Sequence, residues 1–177
     1  MLVKTNAIVL RTIKYGDAKV IVDLFTEHFG RLSFACNMPR TNKAKIKRQL
    51  FQPLTLLEIE FDHRPNIQLQ RLRDARMPFP FASIPYNETK LAIALFVAEF
   101  LCYATRDEQQ NEPLYKYVET SVRWLDGAQQ AFANFHLAFM IRLSRFLGFF
   151  PNLENFSRGC LFDLRSGCFV TAIPLHN

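Results

Sequence analysis

Five runs of strand character crowd into about the first 75 residues, and nothing between them is long enough for a crossover helix. Residues 2–13 alternate imperfectly around Ile8, Val9 and Leu10 and end at the turn Tyr15-Gly16-Asp17. Residues 19–26 are rich in β-branched side chains, and His28-Phe29-Gly30 turns the chain again. Leu32, Phe34 and Cys36 then fall on one face at period two, within 31–36. In 54–61, Thr55, Leu57, Ile59 and Phe61 share one face, while Glu58, Glu60 and Asp62 lie on the other. A polar turn with Pro65 leads into 67–72. Short strands without crossovers fold into a small antiparallel barrel or sandwich, and five of them favour a barrel.

Composition changes at 77–85, Met-Pro-Phe-Pro-Phe-Ala-Ser-Ile-Pro, where three prolines in nine residues allow neither a helix nor a central strand. Three helices follow in the pattern. Asn87 caps the first, over 91–105, whose apolar content predicts burial over most of its surface. Pro113 opens the second, with Leu114, Tyr117, Val118, Val122 and Leu125 as its stripe and Gly127 as its stop. The third, about 129–147, carries Phe132, Phe135, Phe139, Leu143 and Phe146 on one side, widened by Leu137, Met140, Ile141 and Leu147. Residues 158–173 give a hairpin signal around Arg165-Ser166-Gly167. The fold class is therefore α+β: an N-terminal five-stranded OB-type β-barrel, an α-helical domain, and a short C-terminal β-hairpin. The expected domains are 1–79, a Pro-rich linker at 80–85, and 86–177. A strand pair with little to pack against at the end of the chain predicts that a C-terminal segment is missing.

The charge is uneven. Residues 1–79 hold 14 Lys+Arg and 7 Asp+Glu, whereas residues 80–177 hold 8 and 9, so all of the +6 net charge belongs to the barrel half. Within it, 39–50 (Pro-Arg-Thr-Asn-Lys-Ala-Lys-Ile-Lys-Arg-Gln-Leu) carries Arg40, Lys43, Lys45, Lys47 and Arg48 and no acid. Cations on a loop between strands neutralise phosphates and release counterions, while the sheet fixes where the loop sits. A solubilising surface loop is the alternative. Arg11, Lys14, Lys19 and Arg31 lie near the turns of the same sheet, with Tyr15, Phe29 and Phe34 as candidate stacking rings. The alternation assigns Phe34 to the core.

Other chemistry finds little support. Zinc wants paired knuckles such as Cys-x-x-Cys, and Cys36, Cys102, Cys160 and Cys168 are scattered. Glu58, Glu60 and Asp62 beside His63 lack the second carboxylate cluster of a metal nuclease. The six glycines form no phosphate loop, and no Ser or Cys sits in a nucleophile motif. The residues therefore predict no enzyme, no metal and no cofactor. The apolar run 91–104, broken by Glu99, is shorter than the roughly 20 residues of a membrane span, and the N-terminus has no signal-peptide core. A cytoplasmic protein without a membrane partner is expected.

Several of these segments together resemble RecO, the bacterial recombination mediator family. They are Thr5-Asn-Ala-Ile-Val-Leu-Arg11, Tyr15-Gly-Asp17, Leu24-Phe-Thr26 with Phe29-Gly30, the basic loop leading into Leu50-Phe-Gln-Pro-Leu54, and Phe146-Leu-Gly-Phe-Phe-Pro151. The resemblance runs in order over nearly the whole chain. It implies a protein that binds single- and double-stranded DNA, anneals complementary strands, and with RecR helps load RecA onto DNA coated by single-strand-binding protein. It also implies that the acidic, apolar C-terminal tail of single-strand-binding protein docks on the helical domain, where Arg142 or Arg145 could meet it; solvent-facing arginines are the plainer reading of both. Many RecO proteins carry a four-cysteine zinc motif after the Gly-x-x-Pro segment. Here Asn155 and Arg158 stand where its first cysteine pair is expected, so zinc is not carried over. The rival functions are an RNA-binding barrel and a non-catalytic interaction scaffold.

Overall fold

The first strand explains why its sequence alternates so poorly. In the computed structural model, which describes residues 1–16, 19–37, 48–106 and 110–176, β1 spans Leu2–Lys14. Ala7 and Val9 belong to the barrel core. Ile8 and Leu10 are buried on the opposite face, where the first helix packs on the strand. A strand covered on both sides reads as a continuous apolar run. Its length also lets it close the barrel. Residues 2–8 pair with β4 (Leu56–Asp62), and residues 7–14 pair with β2 (Lys19–Thr26). A bulge between Val9 and Arg11 bends the strand from one partner to the other.

With β3 (Gly30–Asn37) and β5 (Leu69–Arg76), the sheet is a closed barrel in the order β1-β2-β3-β5-β4. This is the OB-type barrel expected from the five strand runs, with one correction. Among the described residues four neighbouring pairs are antiparallel, but β3 and β5 run parallel, Ser33 opposite Leu69 and Ala35 opposite Arg71. No hairpin joins those two strands, so turn signals could not reveal their pairing. β5 also starts later than the expected 67–72. The Gln70 amide donates to the carbonyls of Arg64 and Ile67 and accepts from the Arg64 amide, which folds Ile67 into the turn. Inside, Phe34 and Phe61 meet edge to face at 5.0 Å, with Phe29 against Phe61 at 5.6 Å. Burial in this core pushes the Cys36 thiol pKa up to about 12.

The helical part begins with α1 (Glu88–Ala104), whose cap is Asn87 accepting from the Lys90 amide. α2 (Glu112–Gly127) is capped by Asn111 and has a proline in its first turn. Two expectations change here. α1 buries one face, through Ile93, Val97 and Leu101, and leaves Leu91, Leu95 and Phe96 exposed rather than being buried over most of its surface. On α2 the buried ring is Tyr115, which packs on Phe25 of β2 at 6.0 Å. The barrel, α1 and α2 form one compact unit, Met1–His136.

Two buried charges tie the Pro-rich stretch into that unit. The Asp126 carboxylate accepts from the backbone amides of Ala82, Ser83 and Ile84, at 2.9, 2.8 and 2.9 Å. Burial alone would raise its pKa, but these hydrogen bonds and one from the Ser83 hydroxyl hold it below the usual carboxylate value. Lys90, almost fully buried, donates to Ser83 Oγ at 2.7 Å and to the carbonyls of Asp126 and Ala128 at 2.9 and 2.6 Å. Its ammonium also lies 5.1 Å from the Phe132 ring. These contacts hold 128–132 in an irregular path, with Ala131 at a φ of 60°, so α3 is Phe135–Phe146 rather than 129–147.

The second compact unit is Leu137–Asn177. In it, β6 (Leu161–Asp163) and β7 (Cys168–Val170) form the expected antiparallel hairpin. On α3, Leu143 and Phe139 are buried, while Leu137 and Ile141 stand exposed, so the apolar stripe is narrower than the sequence pattern.

Replacing Lys90 by methionine keeps the side-chain length and strands two buried carbonyls. We expect Lys90→Met to destabilise the first unit by about 3 kcal/mol. A urea titration followed by the fluorescence of Trp124, the chain's single tryptophan, measures this; an unchanged midpoint would show that water replaces the ammonium at no cost.

Candidate nucleic-acid interface

The β1–β2 hairpin end gathers Lys14, Lys19 and Arg48 of the residues that the sequence singled out. Lys14 lies opposite Val20, and the Tyr15 amide donates to the Lys19 carbonyl at 2.9 Å. Lys19 in turn lies opposite Asn37, the last residue of β3. Thr12 Oγ1 donates to the Phe51 carbonyl at 2.9 Å and holds the 3-10 turn Arg48–Phe51 against β1. Asn37 and Arg48 bracket the basic stretch, so both of its described flanks are fixed at this end of the barrel. Arg40, Lys43, Lys45 and Lys47 themselves lie outside the described residues. Lys14, Lys19 and Arg48 are exposed.

Arg11 and Arg31 have a different setting. Asp23 on the outer face of β2 is almost completely buried. Its carboxylate accepts from Arg11 Nε at 2.6 Å, Arg31 Nη2 at 2.9 Å and Ser33 Oγ at 2.5 Å. Burial works to raise its pKa, yet the hydrogen bonds from Ser33, Arg11 and Arg31 together hold it below the ordinary value of 3.8. Arg31 Nη1 also donates to the Cys102 carbonyl near the end of α1, at 2.5 Å. Nearby, Glu27 accepts from Asn6 at 2.7 Å and pairs with Lys116 of α2 at 2.8 Å. The outer sheet face is thus divided. The half around Asp23, Phe25 and Arg31 carries the helices, with Arg31 held in the fold and Arg11 half-exposed at the border. Towards Lys19, Ala35 and Asn37 the same face is less covered among the described residues, with Lys19 and Asn37 exposed and Ala35 half-buried, while Lys14, opposite the core residue Val20, stands at the end of the barrel.

A cation that sequence reasoning missed stands on the less covered part. Along β5, Gln70, Leu72 and Ala75 are buried while Arg71, Arg73 and Arg76 are exposed. Arg71 sits opposite Ala35, two positions before the Asn37 end of β3. The other two are matched to acids: Arg73 pairs with Asp62 at 2.5 Å and Arg76 with Asp74 at 3.4 Å. Lys4 pairs with Glu58 at 3.1 Å, so the acidic row of β4 is largely a cross-strand ion-pair ladder. The period-two pattern at Arg71 and Arg73 could have revealed this row, had the strand not been ended at 72. Of the candidate rings, Phe34 is fully buried and Phe29 packs on Phe61 and His63, which leaves Tyr15 exposed.

In the second unit, Arg145 stacks on the Phe150 ring at 4.1 Å, and Arg142 is exposed. Leu137 and Ile141, 48% and 51% exposed, lie one turn apart on the helix face that leads to Arg145.

Two family models match the chain: Recombination protein O N terminal over residues 1–81 and Recombination protein O C terminal over residues 87–160. A DNA repair protein RecO from Phocaeicola vulgatus is 48% identical over 99% of this chain and 73% of its own length. The chain belongs to the recombination protein O family. A Bacteroides fragilis member is 50% identical over the whole chain and 74% of its own length, and one from Flavobacterium psychrophilum is 36% identical over 99% and 72%. The N-terminal family model covers the whole barrel, and the C-terminal one begins at the Asn87 cap of α1.

A zinc ion, which the family resemblance raises near the β6–β7 hairpin, does not fit the residues present. Cys160 Sγ accepts from the Ser157 amide at 3.4 Å, and Cys168 Sγ lies 3.1 Å from Ser166 Oγ. Asp163 accepts from the Ser166 hydroxyl, the Arg165 amide and His176 Nε2. Among the described residues no three His, Cys, Asp or Glu side chains converge as a metal site.

Arg31 holds the boundary of the less covered part of the face. Arg31→Met should destabilise the first unit by about 3 kcal/mol, because it leaves Asp23 buried with less compensation. The sign with pH follows from the lowered pKa of Asp23. Its contribution is complete above the unfolded value of 3.8 and is lost as pH falls through the lower folded value. With Arg31 gone the folded pKa rises, so acid unfolding should begin at higher pH in the variant. Stability curves between neutral and acid pH measure both effects; parallel curves would remove the role given to Asp23.

Proposed function

We propose that this chain is a DNA-binding mediator of repair and recombination that works by neutralising phosphates rather than by chemistry. The supporting observation is the hairpin end of the barrel, where Lys14, Lys19 and Arg48 are exposed, Arg71 stands opposite Ala35 of β3, and Asn37 and Arg48 flank the basic stretch. The relatives are DNA repair proteins by name, which supports the same reading.

Cations on a rigid rim displace counterions from the strand and lower the repulsion between two strands. Single- and double-stranded DNA both fit such a surface, because neither needs to be read base by base. Annealing follows when two neutralised strands are held with their bases free to pair. Arg40, Lys43, Lys45 and Lys47 extend the cationic set, with Arg11 at its border; Arg31 contributes to the fold beneath it. A role with RecR in loading RecA onto DNA coated by single-strand-binding protein belongs to the same proposal. For the C-terminal tail of that protein, Leu137 and Ile141 offer an exposed apolar step beside Arg142 and Arg145, which suits an acidic, apolar peptide. No described helix is long and apolar enough to cross a membrane, and a cytoplasmic place of action fits the proposal.

The test is fluorescence anisotropy of labelled single-stranded and duplex DNA across a salt series. The variant carries Lys43→Glu, Lys45→Glu, Lys47→Glu and Arg48→Glu. The wild-type chain should show a steep fall of affinity with salt. In the variant the slope should flatten by about 0.7 for each lost phosphate contact on single strands and about 0.9 on duplex. An unaltered slope would move the site away from the hairpin end. Absence of DNA binding by the folded wild-type chain would overturn the reading.

A further inference from the structure

The cationic rim accounts for phosphates but offers nothing to the bases, and one residue in its midst is built for that purpose. Aromatic side chains of the barrel are otherwise committed to packing. Phe25, Phe34 and Phe61 are fully buried, Phe51 nearly so, and Phe29 lies against Phe61 and His63. Tyr15 is 64% exposed. Its backbone is fixed by the amide bond to the Lys19 carbonyl at 2.9 Å, and Gly16 after it takes the left-handed φ of 72° that reverses the chain. The ring therefore rises from an anchored position at the hairpin tip. Lys14 precedes it, Lys19 faces it across the hairpin, and Ile13 adds a partly exposed apolar neighbour.

We propose that Tyr15 is a base-stacking residue that favours unpaired strands over duplex at this site. The inference rests on the DNA-binding reading above and goes further by assigning a contact to the base. A single strand presents the faces of its bases, so a ring held between two cations can stack on one base while the lysines take the flanking phosphates. A duplex keeps its base faces inside the stack and offers only phosphates to the same rim. Stacking needs no hydrogen-bond readout, so any base serves and no sequence preference follows. Because the Tyr15 ring is mostly exposed and is not part of the barrel core, its removal should take away the base contact and leave the fold and the rim in place.

The experiment compares the wild-type chain with Tyr15→Ala and Tyr15→Trp. Each is titrated against a labelled single strand, an abasic strand of the same length and a duplex, at one salt concentration. Thermal melts first confirm that the variants fold. Tyr15→Ala should weaken the base-bearing single strand about ten-fold, the loss of one stacked base, with the abasic strand and duplex unchanged. Tyr15→Trp should bind the single strand at least as tightly as wild type. Equal binding of the base-bearing strand by wild type and Tyr15→Ala would overturn the stacking role and leave the cationic site standing. An equal loss on all three ligands would also overturn it, since the ring would then be supporting the rim. If the folded wild-type chain binds none of the three, the DNA-binding reading itself fails, and the stacking role with it.

Discussion

A single buried carboxylate organises the outer face of the barrel. Asp23 lies directly opposite Arg11 on one neighbouring strand and Ser33 on the other, and both donate to it. A carboxylate this deeply buried would be costly without such partners. Its three donors come from the two neighbouring strands in one register, and a slip of one residue would turn the partners to the wrong face. Arg31 adds the tertiary element. One end of its guanidinium meets Asp23 and the other meets the Cys102 carbonyl, so the group that fixes strand register also seats the end of α1. Where the helices stop, the less covered part of the sheet begins. The position of the candidate interface is therefore a consequence of where Asp23 sits.

The second pair of buried charges is arranged on another principle. Lys90 and Asp126 do not form an ion pair with each other. The ammonium is satisfied by carbonyls and a hydroxyl, and the carboxylate by three consecutive backbone amides. Each charge thereby specifies a backbone path, where a side-chain pair would specify only a distance. Residues 82–84 wrap around Asp126, and the stretch after α2 wraps around Lys90. Three prolines remove amide donors from the same region and forbid regular structure. The result is an irregular segment with one conformation, held by two charges that approach each other only through Ser83 and the main chain.

This division between regular and irregular parts governs what the sequence could reveal. Strands with one wet face announce themselves, and Leu32, Phe34, Leu57 and Ile59 were legible by period two alone. The starts of α1 and α2 were equally clear, because Asn87 and Pro113 act through local backbone chemistry, whereas the start of α3 was expected six residues too early. The parallel pairing of β3 with β5 was not legible, since no turn encodes it. Burial of Tyr115 in place of Tyr117 depends on which face of α2 meets Phe25, a tertiary fact. Lys90 falls in the first turn of α1, where nothing local marks it as buried. In the candidate site, Lys14 and Lys19 were found because they flank a recognisable turn. Arg31 looked like their equal until Asp23 and Cys102 were placed beside it. Arg71 was passed over because the strand was ended at 72, which hid its alternation with Arg73.

Net charge is for the same reason a poor guide to the binding face. The barrel half carries 14 basic residues against 7 acidic ones, yet much of that charge is matched locally. Lys4, Arg73 and Arg76 each face a carboxylate across or along the β4–β5 surface, and exposed pairs of this kind contribute little to stability. Their effect is to flatten the potential of that surface. At the hairpin end no ion pair among the described residues ties Lys14, Lys19, Arg48 or Arg71 to a carboxylate, while Asp17 of the turn lies outside those residues. On the proposed reading, a strand approaching the barrel is drawn to where basic side chains are least matched, not to where they are most numerous. Asp23, Glu58 and Asp62 thus shape the candidate interface from outside it, by pairing with arginines and with Lys4 that would otherwise add to the charge available to phosphates.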